Sequence, residues 1–205
     1  DASVAGTIEE NFAKAGYVVI SNARNHRFDD DVPLIIPEVN ADHLEMIKHQ
    51  NFNDGAIVTN PNCSTIGLAM ALKPLADNFG IEFVNVVTMQ AIYGGGYPGV
   101  PSMEIIDNVI PFIGGEEEKM EKEPRKILGA FNGKDKIDFA EIKISAQCNR
   151  VSVIDGHTEC VQVKLKKKTT KEEIINVWND FTSDAQKLNL PFAPANPIIH
   201  LEGDK

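Results

Sequence analysis

The chain is poor in cysteine, in aromatic residues and in positive charge, and it has no long apolar run. Three cysteines in 205 residues, an odd number without dense spacing, argue against a disulfide scaffold and fit a reducing compartment, so a cytoplasmic location is expected. Lys and Arg number 20 against 30 Asp and Glu, a net charge of −10 with a pI near 5.0. That balance argues against nucleic acid or an anionic membrane as partner, although a local cationic pocket can still take an anionic substrate. No apolar stretch approaches the ~20 residues of a membrane span, and the opening residues read as an acidic helix rather than a signal peptide. Repeats and low-complexity segments are absent. What is present is 42% hydrophobic and 24% charged residues, the make-up of a globular protein with length for one large or two small domains.

Residues 1–15 carry Val4, Ile8, Phe12 and Ala15 at helical spacing, with Gly16 as a stop. Tyr17–Ile20 reads as a buried strand, 22–31 as a polar loop with Arg24, His26 and Arg27, and 32–37 as extended, with Asn40 capping a helix to about His49. Residues 55–59 make a further buried strand. This alternation predicts part of a parallel α/β sheet over 1–62. Beyond it come a strand-like run at 81–93, helices at 102–110 and 116–128, two long strands at 142–154 and 158–166 around Asp155-Gly156, and a helix capped by Thr170. Strands joined by hairpins and flanked by helices predict an α+β unit over 63–205.

The stretch on which the rest is organised is Asn60-Pro61-Asn62-Cys63-Ser64-Thr65. Ile66, Leu68, Ala69, Leu72 and Leu75 predict a helix to about Phe79, stopped by Gly80, so Cys63 sits where a strand ends and a helix begins. Unpaired N–H groups and the positive end of the helix dipole favour an anion there, which is where reactive thiols concentrate.

Gly94-Gly95-Gly96-Tyr97-Pro98-Gly99 satisfies G-x-G-x-x-G. Pro98 removes a donor that phosphate would need, Pro101 interrupts the helix entry, and no buried strand ends in an acid about 20 residues on. It reads instead as an active-site loop with closely approachable backbone. His157 is a candidate partner for a nucleophilic thiol, and the Arg150 fork suits a carboxylate. Cys148, His157 and Cys160 are near enough in sequence to weigh as metal ligands, but paired C-x-x-C spacing is missing and no metal is expected. Lys119, one turn after Glu116, is by default a surface ion pair.

These residues resemble the aspartate-semialdehyde dehydrogenase family, most closely its archaeal and fungal branch. The resemblance is carried in order by the Asn60–Thr65 block, Gln90 before the Gly-rich loop, Gly115-Glu116-Glu117-Glu118-Lys119-Met120, Cys148-Asn149-Arg150-Val151, and Asp155-Gly156-His157-Thr158-Glu159. It implies Cys63 as nucleophile, His157 as acid/base partner, Gln90 and Asn62 orienting the substrate and its oxyanion, Arg150 on the substrate carboxylate, Glu116 on its amino group, and Lys119 with Arg27 on phosphate. It implies NADP as cofactor, with contacts from Asn22, Gly94, Gly95 and Gly96, and reduction of 4-phospho-L-aspartate to L-aspartate 4-semialdehyde through a cysteine thioester, on the way to lysine, threonine and methionine. The implied fold is the tail of a Rossmann-like parallel sheet (1–62) followed by a catalytic and dimer-forming domain (63–205).

The family's Gly-rich phosphate loop and C-terminal segment have no counterpart here, so a fragment is expected. The alternatives are an acyl reductase of the malonyl-coenzyme A type and a non-catalytic dimerisation domain. The expected partners are the small substrate, phosphate and a second copy, as a homodimer or dimer of dimers. Val84, Val86 and Val87, with Ile105, Ile106, Val109 and Ile110, make the apolar surface for that pairing.

Overall fold

A computed structural model describes residues 2–134 and 136–203. Helix α1 (Ala2–Lys14) leads into strand β1 (Val18–Ser21). After the polar loop come helix α2 (Pro37–Asn40), a 3-10 run Ala41–His49, and strand β2 (Ala56–Thr59), which pairs with β1 in parallel. The expected α-helix over 40–49 is thus a 3-10 run, and Asn40 does not cap it. Its side chain ties the turn before it, accepting from the Ile36 N–H at 2.9 Å and donating to the Leu34 carbonyl at 2.8 Å. The expectation that 17–20 is buried also fails. A two-stranded sheet buries one face, here Val19 and Ile57 against Ala13 and Val32, which leaves Val18 62% and Ile20 79% exposed.

Helix α3 (Cys63–Phe79) runs as expected, and Gly80 at φ +67° turns the chain into strand β3 (Ile81–Gln90). A 3-10 turn at Ile92–Gly95, helix α4 (Ser102–Ile105) and strand β4 (Val109–Ile110) follow. The helix predicted over 102–110 is therefore a single turn, because Asp107 at φ +56° breaks it and 109–110 pair with another strand. Helix α5 (Glu116–Ile127) starts with the three glutamates that suit the positive end of its dipole. The hairpin β5 (Ala130–Phe131) and β6 (Ile137–Asp138) precedes the long strands β7 (Lys143–Val151) and β8 (Thr158–Leu165). Helix α6 (Lys171–Asn179) opens on the Thr170 capping box, and helix α7 (Asp184–Lys187) on a second box at Ser183.

The main sheet has the order β4-β7-β3-β8. β7 and β8 are not a hairpin, contrary to expectation: the apolar β3 takes the central position, parallel to β7 and antiparallel to β8. The loop between them therefore crosses the end of β3, where Ile92 N–H reaches the Val153 carbonyl at 2.8 Å. That crossing delivers His157 to the end of β3.

One face of this sheet carries the core. Register places Val84 beside Ile144 and Val163, Val86 beside Ala146 and Val161, Thr88 beside Cys148 and Glu159, and Gln90 beside Arg150. The apolar rungs pack on Leu68, Leu72 and Leu75 of α3 and Met120 of α5. Each such leucine contributes roughly 1.5–3 kcal/mol by leaving water. Trp178 of α6 closes the layer and donates its indole N–H to the Ala71 carbonyl at 3.0 Å. α5 lies along the free edge of β7, where Glu117 and Glu121 accept from Cys148 and Ala146 N–H groups.

Candidate active site

Asn62 sits at the N-cap of α3, and its side-chain oxygen accepts from the Ser64 and Thr65 N–H groups at 3.0 and 3.4 Å. That cap holds the first turn rigid and leaves Cys63 exposed at its start. His157 Nε2 lies 3.1 Å from Cys63 Sγ. The other ring nitrogen, Nδ1, accepts the backbone N–H of Ala91 at 3.0 Å. An accepting Nδ1 bears no proton, so the neutral ring carries its hydrogen on Nε2 and points it at the sulfur. Burial, and then the nearby Arg150 charge, hold the His157 pKa below its ordinary value, which keeps the ring neutral.

Ala91 serves twice, since its carbonyl accepts from Arg150 Nη1 at 2.7 Å. Gly94 is the one position of the Gly-rich loop where the absent side chain matters to this pair. A Cβ there would come to 3.0 Å from Arg150 Nη1 and from a His157 ring carbon. Gly95 and Gly96 do not face the pair; Gly96 adopts φ +66° in open space.

On the other side of the thiol, Glu116 gathers three donors: Asn62 Nδ2 at 2.7 Å, Gln90 Nε2 at 3.4 Å, and Lys119 Nζ. Burial alone would push the Glu116 carboxyl up, but Lys119, with help from Asn62 and Gln90, holds it below the usual range. The pair is part-buried, with side chains 11% and 22% exposed, and is more than the surface contact expected of it.

Cys63 lines several cavities. A polar cleft of about 490 Å³ holds Asn22, Arg24, Asn62, Glu116 and Lys119, and a smaller one of about 300 Å³ holds Ala91, Gly94 and His157. A larger groove of about 750 Å³ runs away from the thiol between α3, β8 and α6 and is mostly aliphatic. Polarity rather than size marks the 490 Å³ cleft as the place for a charged substrate.

The structure thus brings together Cys63, His157, Asn62, Gln90, Arg150, Glu116, Lys119 and Gly94, with Asn22 on the rim beside Asn60. Arg27 differs. It lines the same cleft, but its two terminal nitrogens bond Glu123 at 2.8 Å and the Asn22 carbonyl at 2.9 Å, which leaves only Nε without a hydrogen-bond partner in a residue 7% exposed. Cys148 and Cys160 are not brought together for a metal: register sets them against Thr88 and Val87, on opposite faces of the sheet. Among the described residues no group of His, Cys, Asp and Glu is arranged to hold a metal ion.

Sequence reasoning missed Ala91, which acts through its backbone and has no side-chain signal. It also missed Glu123, although that residue stands two helical turns after Glu116, and the role of Glu159 in the quoted Asp155–Glu159 block. Glu159 faces the thiol cavity, and burial raises its pKa to about 7.

Fold and site together define an α/β protein with a thiol–imidazole pair opening on a polar cleft lined by Arg24, Arg27, Lys119 and Glu116. Residues 72–200 match the family described as semialdehyde dehydrogenase, dimerisation domain, and residues 1–47 the corresponding NAD-binding domain. The chain belongs to the semialdehyde dehydrogenase family. It is similar to aspartate-semialdehyde dehydrogenases of Archaeoglobus fulgidus, 53% identical over 97% of this chain, and Schizosaccharomyces pombe, 49% identical over 97%. It spans 57% of the length of each of these relatives. A crystal structure of aspartate semialdehyde dehydrogenase with NADP from Candida albicans superposes with a TM-score of 0.87 at 41% identity, covering 96% of this chain and 58% of that one.

Proposed function

We propose that the chain is the catalytic part of an NADP-dependent aspartate-semialdehyde dehydrogenase, with 1–62 completing the cofactor-binding domain and 63–205 forming the catalytic and dimerisation domain. The observation that carries this reading is His157 Nε2 at 3.1 Å from Cys63 Sγ at a helix N-terminus. The Cys63 thiolate attacks the acyl carbon of 4-phospho-L-aspartate. A C–S bond forms, the C–O bond to phosphate breaks, and phosphate leaves. Arg150 takes the substrate carboxylate and Glu116 its ammonium, with Gln90 beside them. Lys119, on the polar cleft, takes the phosphate. Developing oxyanion charge falls next to the first turn of α3, whose geometry Asn62 fixes. His157, held neutral, donates a hydrogen bond from Nε2 to the sulfur, and the same N–H is the nearest donor to the developing oxyanion without giving up its proton.

The residues fit the reactive end of a nicotinamide. Gly94 offers backbone without a side chain next to the thiol, and Asn22 offers an amide on the same cleft. NADPH, when bound, supplies the hydride that converts the thioester to the semialdehyde. The relatives' names and the NADP of the Candida albicans structure support this reading. Three free cysteines fit a cytoplasmic enzyme.

The test is acylation. Mixing the chain with 4-phospho-L-aspartate should release one phosphate per chain and leave an aspartyl thioester on Cys63, read by mass spectrometry; phosphate release without a Cys63 adduct contradicts the reading.

The chain also pairs with a second copy. Supporting this are the dimerisation-domain match and an exposed apolar set, Ile106 at 66%, Val109 at 53% and Phe112 at 60%. Val84, Val86 and Ile105, which were expected in that set, are in the core at 0%, 0% and 2%, the valines because β3 is sandwiched between two strands and packed on α3. Light scattering should give a dimer at micromolar concentration that Ile106→Asp dissociates; a folded wild-type monomer rules the pairing out.

A further inference from the structure

Three side chains between the N-terminal sheet and α5 have no part in the chemistry above, yet two of them are among the most buried charges in the molecule. Glu123 is 0% and Lys126 2% exposed, one turn apart on α5. Lys126 Nζ donates to three carbonyls of the 27–32 loop, those of Arg27, Asp29 and Val32, at 2.8–2.9 Å. Glu123 spans a wider gap. One oxygen accepts from Arg27 Nη1 at 2.8 Å, and the other accepts the backbone N–H of Asn62 at 2.7 Å.

Asn62 is held from both ends. Its side chain caps α3 and donates to Glu116, while its peptide N–H is fixed by Glu123. The next residue is Cys63. A buried carboxylate between a guanidinium and a peptide N–H is costly to leave half-satisfied, so this contact sets the peptide from which the thiol projects.

We propose that Glu123 is a positioning residue for Cys63, gripping the Asn62 N–H with one oxygen while Arg27 Nη1 fixes the other. Arg27 is then a strut between the two halves of the chain, while its Nε, which has no hydrogen-bond partner, stays on the cleft with Lys119. This inference rests on the reading of Cys63 as the reacting thiol.

Two double variants isolate the contact. Arg27→Met with Glu123→Gln removes both charges and keeps one acceptor for Asn62. Arg27→Met with Glu123→Met removes both charges and the acceptor. The lost charges are the same in the two, so their difference reports the hydrogen bond alone. Iodoacetamide alkylation of Cys63 should proceed near the wild-type rate in the Gln variant and roughly fivefold slower in the Met variant, the scale of one net hydrogen bond. Equal rates in two folded variants overturn the proposal, and thermal melts that differ while the rates agree assign Glu123 a purely structural role.

A measurement on the unaltered chain covers the case in which a variant does not fold. The Asn62 amide should be strongly protected from hydrogen exchange, and exchange at the rate of an open loop overturns the contact. If a cysteine other than Cys63 is alkylated first in the wild type, the reading of the nucleophile fails, while Asn62 protection still reports on Glu123.

Discussion

The two ends of the helix-facing side of the main sheet are built on the same register and do opposite things. At one end Val84, Ile144, Val163, Val86, Ala146 and Val161 meet the leucines of α3. The next two rungs carry Thr88 with Glu159 and Gln90 with Arg150, and Gln90 reaches Glu116. The apolar end tolerates rearrangement because dispersion and burial are non-directional. The polar end does not, since each buried donor and acceptor there must find a specific partner. α3 runs the length of both, so packing at one end holds the thiol at the other.

Breaking the polar end should cost reactivity first. His157→Ala is expected to slow acylation of Cys63 by roughly 10²–10⁴-fold, the usual scale of general acid–base assistance, with a melting curve close to wild type. A loss of melting temperature with normal acylation of the remaining folded protein would make His157 structural.

Breaking the apolar end should cost stability instead. Leu72, 1% exposed in the core between α3 and β3, should destabilise the fold by about 2–5 kcal/mol when changed to Ala. Urea unfolding measures this, and the order in which the folded cysteines react should be unchanged. A Leu72→Ala chain of wild-type stability would place the core elsewhere.

The boundary between the two ends is Glu159, and it should give the smallest effect. Its folded pKa, raised by burial to about 7 from the ordinary 4.5, means that the folded state prefers the protonated acid. The associated stability is present below about pH 4.5 and is lost as pH rises through 7. Glu159→Gln should therefore raise the melting temperature by roughly 2–6 °C at pH 8, a shift discounted for the group's partial exposure, with the gain shrinking toward pH 4.5. A gain that grows in acid would reverse the assignment.

How far the sequence carried differs between these regions for physical reasons. α3 was legible to within a residue, because Asn62, the apolar spacing and Gly80 all agree. The thiol and its partners were legible through short blocks whose residue types suit the chemistry. The strand order was not, because residues 142–166 look like a hairpin locally, and only the competition for the central position places β3 between them. The exposure of Val18 and Ile20 was illegible for a similar reason, since a run of apolar residues does not say how many strands will cover it. Arg27 shows the limit most clearly. Its residue type suits the polar cleft that it lines, but it also pairs with Glu123, 96 positions away, and no local pattern announces an ion pair of that span.

The account turns on Cys63 being set apart from the other two thiols by its place, not by its chemistry alone. Cys148 is buried, with a pKa pushed up to about 11 by that burial, and Cys160 is exposed on the far face without an imidazole partner. Limiting iodoacetamide applied to the folded chain, followed by peptide mapping, separates the three. Cys63 should carry the label before either of the others. Label appearing first on Cys160 or Cys148 would contradict the assignment of the nucleophile and the mechanism built on it.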